Sequence, residues 1–231
     1  MNKNYTNKRA GEIIDIILFT ALALIIYLVF FVPQPSSLPV ASPTANTLTF
    51  VGYEELPEPI QTPYKGNDFI PYIDKNIDLR IYPRANYRIY AMVMSKRGYS
   101  WEWDSKLVPY DLALAWNDLM LPENVRTISY SQGNRWYTFR LKPDCRLSVS
   151  YIARHSANTH MIPANANLKK ALDVIKKGDK VYFEGYLVNI KGKVNNREAW
   201  RNSSLSRNDT GDGACELFYI TMAVVDGVIY Q

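Results

Sequence analysis

Residues 178–190 read GDKVYFEGYLVNI, and the fold turns on how this stretch is read. Val181, Tyr182, Phe183, Leu187, Val188 and Ile190 are β-branched, aromatic or aliphatic side chains that suit a pleated, half-buried surface. Gly185 in their midst marks a bulge, and Lys191-Gly192 just beyond reads as a turn. The segment immediately before it, NLKKALDVIKKGD (167–179), has the opposite character. Leu168, Ala171, Leu172 and Ile175 recur at helical spacing. Asn167 is placed as the N-cap, Lys176 and Lys177 suit the negative end of the helix dipole, and Gly178 suits the left-handed position after it.

Working outward, strand signals dominate. ELFYITMAVVDGVIY (216–230) reads as a strand pair turning at Asp226-Gly227. TISYSQGNRWYTFRL (127–141) reads as a hairpin with Gln132-Gly133-Asn134 as its turn. LRIYPRANYRIYAMVM (79–94) alternates apolar and polar residues in two runs split by Pro83. In PYDLALAWNDLM (109–120), Leu112, Ala115, Trp116 and Leu119 fall at helical spacing and predict a second short helix. The expectation is an α+β, β-rich domain with two short helices. GDKVYFEGYLVNI also resembles the opening strands of small β-barrels such as the OB-fold, which implies a small OB-like barrel.

Composition agrees with this. The chain has 231 residues, 47% hydrophobic and 21% charged, with 17 Tyr, 8 Phe and 5 Trp. That is a globular, strand-favouring balance. The net charge of +5 is carried by dispersed basic residues, which is not the clustered signature of a nucleic-acid binder. Trp136 and Tyr137 beside the Lys/Arg excess are the features that would support a nucleic-acid-binding barrel, but no nucleic-acid partner is expected.

The N-terminus sets the compartment. Lys3, Lys8 and Arg9 precede an apolar run from Ile16 to Val32, and no further Lys or Arg occurs until Lys65. Extended back to Gly11, the run reaches the roughly 20 residues that a helix needs to cross a bilayer. The charge asymmetry places the N-terminus in the cytoplasm. A cleaved signal peptide is the alternative. Its apolar core usually spans about 7–15 residues before a small-residue cleavage site, whereas this run is longer and Pro33-Gln34-Pro35 follows directly. The organisation read from the sequence is a cytoplasmic tail (1–10), a transmembrane anchor (11–32), a Pro/Ser/Ala linker (33–47) and one extracytoplasmic domain (48–231). The whole is a single-pass protein of a bacterial inner membrane, with its domain in the periplasm or outside the cell.

Two polar stretches are candidates for chemistry. ARHSANTHMIPAN (153–165) holds both histidines of the chain, His155 and His160, and reads as a loop; SSLSRNDTGDGACELF (203–218) is the second. Asn158, Asn165, Ser206, Asn208 and Asp209 are good turn and cap residues, which is sufficient reason for either stretch. As a binding site, Asn158, His160, Arg207 and Asp209 would take an anionic or sugar ligand, since Arg supplies a fork of donors while Asp and Asn accept and orient. As an enzyme site, Cys215 and His160 would form a nucleophile–base pair, with Asp209 or Asn158 orienting the ring of a hydrolase or transferase. The alternative for the cysteines is a Cys145–Cys215 disulfide, natural in an oxidising compartment. Zinc held by His155, His160, Cys145 and Cys215 fails on spacing. A calcium loop around Asp209 and Asp212 lacks the alternating ligands and closing Glu. Asp209-Thr210-Gly211 occurs once and follows no buried strand, unlike an aspartic-protease loop. No metal and no cofactor is expected.

The short basic N-terminus, the apolar run, NTHMIPAN (158–165), GYLV (185–188) and SSLSRNDTGDGACE (203–216) together resemble an uncharacterised group of bacterial membrane-anchored proteins. The resemblance covers most of the domain and implies membrane anchoring, with no activity, cofactor or site attached. The function expected is a cell-envelope binding or assembly module with an unknown small-molecule ligand and an envelope protein partner.

Overall fold

The computed structural model of the chain describes residues 56–100, 104–208 and 214–231. All of them belong to the second of two units, Ala41–Gln231. The expected tail, anchor and linker lie outside the described residues. Among the described residues no helix is long and apolar enough to cross a membrane.

The described residues form eleven strands and three short α-helices. In chain order these are β1 (Ile60–Pro63), β2 (Ile70–Asp74), β3 (Ile77–Gly98), β4 (Tyr110–Ala115), α1 (Pro122–Val125), β5 (Ile128–Gly133), β6 (Trp136–Leu141), α2 (Val149–Arg154), β7 (Ser156–Pro163), α3 (Ala166–Val174), β8 (Lys180–Val194), β9 (Arg197–Asn202), β10 (Glu216–Val225) and β11 (Val228–Tyr230). The fold is α+β and β-rich, as the composition implies.

Five strands pair in a closed circuit. β3 pairs with β4, β4 with β7, β7 in parallel with β10, β10 with β8, and β8 again with β3. Closure leaves these five strands no open edge. The ends of β3 and β8 run beyond the circuit, where β2 flanks β3 and β9 flanks β8 in a four-stranded antiparallel ribbon. β5 and β6 form a separate hairpin.

Apolar side chains fall into three clusters. The largest joins Leu112, Leu114, Met161, Phe183 and Phe218 to Leu168, Ala171 and Leu172 of α3. Those α3 residues sit three and four apart, so one helix face lies on the sheet. A second cluster, with Leu79, Ile81, Leu107 and Ile190, lies under the ribbon. A third, with Ala113, Ala115, Ile128, Tyr130 and Ile152, joins the hairpin to β4. Burial of one such leucine or isoleucine contributes roughly 1.5–3 kcal/mol.

Several local expectations need correction. Residues 110–115 are a strand, not a helix. Alternate residues of β4 enter different apolar clusters, Leu112 and Leu114 one and Ala113 and Ala115 another. A strand buried on both faces loses its period of two and imitates a helix. The expected polar loop 153–165 is mostly β7, buried from Ser156 through Ile162. It is central, between β4 and β10. β3 runs unbroken through Pro83, where a register shift between Pro83 and Ala85 accommodates the missing N–H.

The turns also move. The tight turns fall at Asn134-Arg135 and Asn195-Asn196, where φ is +51°, +64°, +50° and +59°. These are left-handed conformations that asparagine tolerates. The Asp226-Gly227 turn is where the sequence places it, with φ of +50° and +76°. The N-cap of α3 is Asn165, not Asn167, and its side chain accepts from the backbone N–H groups of Asn167 and Leu168 at 2.9 and 3.0 Å. The bulge near Gly185 lies in the facing strand, where the β10 register skips between Ile220 and Met222. At Gly185 φ is +155°, and a Cβ would meet the Tyr219 carbonyl oxygen at 2.0 Å, so only glycine fits.

Candidate functional site

The hairpin β5–β6 lies against the face of β4 and β7 that points away from the main core. Its tip carries Arg135, which is 8% exposed. Nη1 donates to Asp111 Oδ1 at 2.9 Å and to the Val108 carbonyl at 3.2 Å, while Nη2 donates to Asp104 Oδ1 at 2.9 Å. The guanidinium stacks on Tyr99, with Cζ 3.7 Å from the ring centroid. Burial, followed by the nearby Asp111 carboxylate, raises the Tyr99 phenol. Arg201 of β9 reaches the same cluster, 3.0 Å from Asp104 Oδ2. Buried ions persist only when paired and hydrogen-bonded; the pairing here comes from the cluster's own residues, while Asp111 Oδ2 is buried with no hydrogen bond among the described residues.

His160 belongs to this cluster. Its Nδ1 donates to Asp111 Oδ1 at 2.8 Å, and the residue is 5% exposed. Asn158 is also consumed internally. Its Oδ1 accepts from Gln132 at 2.7 Å, and its Nδ2 donates to the Arg135 carbonyl at 2.9 Å and approaches Cys215 Sγ at 3.6 Å. Cys215 Sγ itself points to the Arg135 carbonyl at 3.7 Å. No hydrogen bond joins Cys215 to His160, so the nucleophile–base pair is not assembled among the described residues. His155 lies apart, with Nδ1 on the Tyr151 carbonyl at 2.8 Å and Nε2 at 3.0 Å from Glu58. Asp209 lies outside the described residues.

The two cysteines are free. Cys145 packs with the third cluster beside the hairpin, and its Sγ lies 3.9 Å from the Leu147 carbonyl. Cys215 faces Asn158 instead. The expected Cys145–Cys215 disulfide therefore does not form in this structure, because the fold assigns the two thiols to different neighbours. Burial first, then the carboxylates of Glu216 and Asp111, pushes the Cys215 thiol up to about 11, against the hydrogen bond from Asn158. A thiol held protonated is a poor nucleophile.

Beside Cys215 opens a cavity of about 370 Å³. Trp136, Tyr137 and Phe139 of β6 line it together with Ser156, Arg207 and Cys215; the Tyr137 hydroxyl lies 3.2 Å from Ser156 Oγ. Arg207 pairs with Glu216 and donates to the Tyr87 hydroxyl. Its guanidinium carbon lies 5.2 Å from the Tyr87 ring centroid and 5.3 Å from that of Trp116. Arg207 is the expected ligand-binding residue that reaches a cavity, and like Asn158 and His160 it also has internal partners, here Glu216 and Tyr87. Among the described residues, no group of three His, Cys, Asp or Glu side chains is placed to hold a metal ion.

Sequence reading missed Asp104, Asp111 and Arg135. One signal was available. Asp111 interrupts the apolar run Tyr110–Trp116, and a carboxylate in a strand buried on both faces must have a partner. Compared with known proteins, the chain matches no family model, no curated protein and no solved structure.

Proposed function

We propose that this chain is a single-pass, membrane-anchored binding or assembly module of the bacterial cell envelope, built on an OB-like barrel. The strand circuit supports the barrel reading. Three successive circuit strands, β3, β4 and β7, form a meander; α3 then leads to β8; and the last strand, β10, runs parallel to β7. An OB-fold commonly binds its ligands on the second and third of those strands. Here the hairpin β5–β6 occupies that face, so the ligand is taken elsewhere.

The observation that carries the binding reading is the cavity beside β6, lined by three aromatic side chains and by the Arg207–Glu216 pair. A concave, largely apolar site with a few convergent polar groups is the usual form of a small-molecule site. Its ligand combines an apolar body with an anionic group that Arg207 attracts, and no cofactor is invoked. The catalytic alternative, Cys215 with His160, has less support, since each group is engaged elsewhere and the thiol is held protonated. The anchor rests on residues 11–32 and their charge asymmetry, and an anchored module of this kind would also serve an envelope protein partner.

The test uses the full chain in detergent micelles with the fluorescent probe 8-anilinonaphthalene-1-sulfonate, an aromatic body bearing one anion. The expected result is saturable enhancement in the wild type that Cys215→Trp, which fills the cavity, abolishes. Equal binding by both proteins would reject the cavity as the site. Protease accessibility in spheroplasts tests the topology, with the domain cleaved from outside and the N-terminus protected.

A further inference from the structure

The ribbon of β2, β3, β8 and β9 has two unlike faces. One buries Leu79, Ile81 and Ile190 in the second cluster. On the other, register places Tyr82 opposite Asn189, Asn189 opposite Asn202, and Lys191 opposite Trp200. A groove of about 420 Å³ lies there, lined by Tyr82, Arg84, Lys191, Glu198, Trp200 and Asn202. Trp200 is 70% exposed on a paired strand. Phe69 is exposed next to Tyr82, at 5.8 Å between ring centroids, and the Arg80 guanidinium carbon sits 4.9 Å from the Phe69 centroid. Large rings exposed together on a rigid surface mark a contact site.

The charges narrow the occupant. Arg84 and Lys191 make no side-chain hydrogen bond or ion pair among the described residues, and neither is among those with further contacts. They stand free to meet an anion. Glu198 in the same groove opposes a dense polyanion, such as a nucleic-acid strand with a phosphate on every residue. It suits a chain with sparse negative charge and many hydroxyls, because Glu198 accepts from hydroxyls and the Asn202 amide both donates and accepts. The apolar C–H face of a sugar ring packs on an exposed indole as other apolar surface does.

We propose that this groove binds an acidic polysaccharide, a glycan strand carrying carboxylates at intervals. Trp200 is its stacking platform, and Arg84 and Lys191 are its charge contacts. The groove shares no lining residue with the cavity beside β6, so this proposal stands or falls apart from the cavity reading.

The experiment measures binding of the full chain in detergent micelles to polygalacturonate, with dextran as the neutral counterpart and poly(dT) as the nucleic-acid counterpart. The wild type is expected to bind polygalacturonate, and added salt is expected to weaken the complex. Trp200→Ala should weaken it at least tenfold, and Trp200→Phe should restore most of that loss. Arg84→Gln with Lys191→Gln should weaken it severalfold and flatten the salt dependence. All these positions are on the surface, so the variants should unfold at the wild-type temperature. The proposal is overturned if the wild type does not bind polygalacturonate, if dextran binds equally well, if poly(dT) binds more tightly, or if Trp200→Ala binds like the wild type.

Discussion

The same sheet presents two polar outer faces, and they are used in opposite ways. On β4 and β7 the outward side chains include Asp111, Asn158 and His160, and every one is bonded to another part of the chain. On β3, β8 and β9 the outward side chains include Arg84, Lys191 and Trp200, which stand open beside a groove. The first face is covered by the hairpin and the second by nothing described. Histidine, asparagine and aspartate look like chemistry, yet here they hold a hairpin down. A tryptophan and two cations look like ordinary surface, yet they are the groups left free to meet a partner.

The sharpest way to break this contrast is to remove the hairpin's clamp. Arg135→Ala leaves Asp104 and Asp111 buried at 1% and 0% exposure without the guanidinium that joins them. Breaking a buried ion pair from one side costs about 3–5 kcal/mol, and urea unfolding should register a loss of that size. The hairpin should also loosen, with tryptic cleavage after Arg140 appearing before global unfolding. Arg135→Lys should recover little, because an ammonium cannot bridge two carboxylates in a fixed fork. A loss below about 1 kcal/mol would mean that the cluster is not what seats the hairpin.

The second arginine offers a smaller version of the same experiment. Arg207 reaches the buried Glu216 and Tyr87 from a more exposed position, its side chain being 25% exposed. Arg207→Ala should cost roughly 1–3 kcal/mol, the scale for depriving a buried polar group of a partner. It should also weaken the sulfonate probe in the cavity.

Cys215 distinguishes a structural thiol from a reactive one. Burial raises its pKa to about 11 from the ordinary 9.0. A raised pKa means that the fold favours the protonated thiol. The associated stability is present in full below the ordinary thiol value and is lost as pH rises through about 11. Iodoacetamide labelling followed by mass spectrometry should therefore stay slow at pH 8–9 and accelerate only toward pH 11. Fast labelling near neutral pH would return Cys215 to the list of nucleophiles.

How much of this was legible in the sequence depends on which signals survive burial. The stretch 178–190 and the Asp226-Gly227 turn could be read because one is rich in β-branched and aromatic residues around a glycine and the other carries a turn dipeptide. β4 and β7 could not. Both are central strands, so their residues follow two environments at once and neither shows a period of two. His160 and Asn158 were read as loop residues, when they are outward positions of a buried strand. Arg207 was found because it lies in irregular chain, where a charged residue is judged by chemistry and not by periodicity. The Arg135 cluster joins residues 104, 111, 135, 160 and 201, and no local pattern brings such distant positions together.

The smallest expected effect is on the open face, and its smallness is what makes it informative. Trp200→Ala and Lys191→Gln touch neither a core cluster nor an ion pair. Surface substitutions of that kind usually fall within about 0.5 kcal/mol of the wild type. Urea unfolding should therefore give midpoints that coincide with the wild type. A stabilised Trp200→Ala protein would be consistent with a tryptophan held in water for the sake of a partner. A clear destabilisation, above about 1 kcal/mol, would mean that Trp200 supports the β8–β9 pairing through cross-strand contact with Lys191. The open face would then be structural like the covered one, and the contrast between the two faces would collapse.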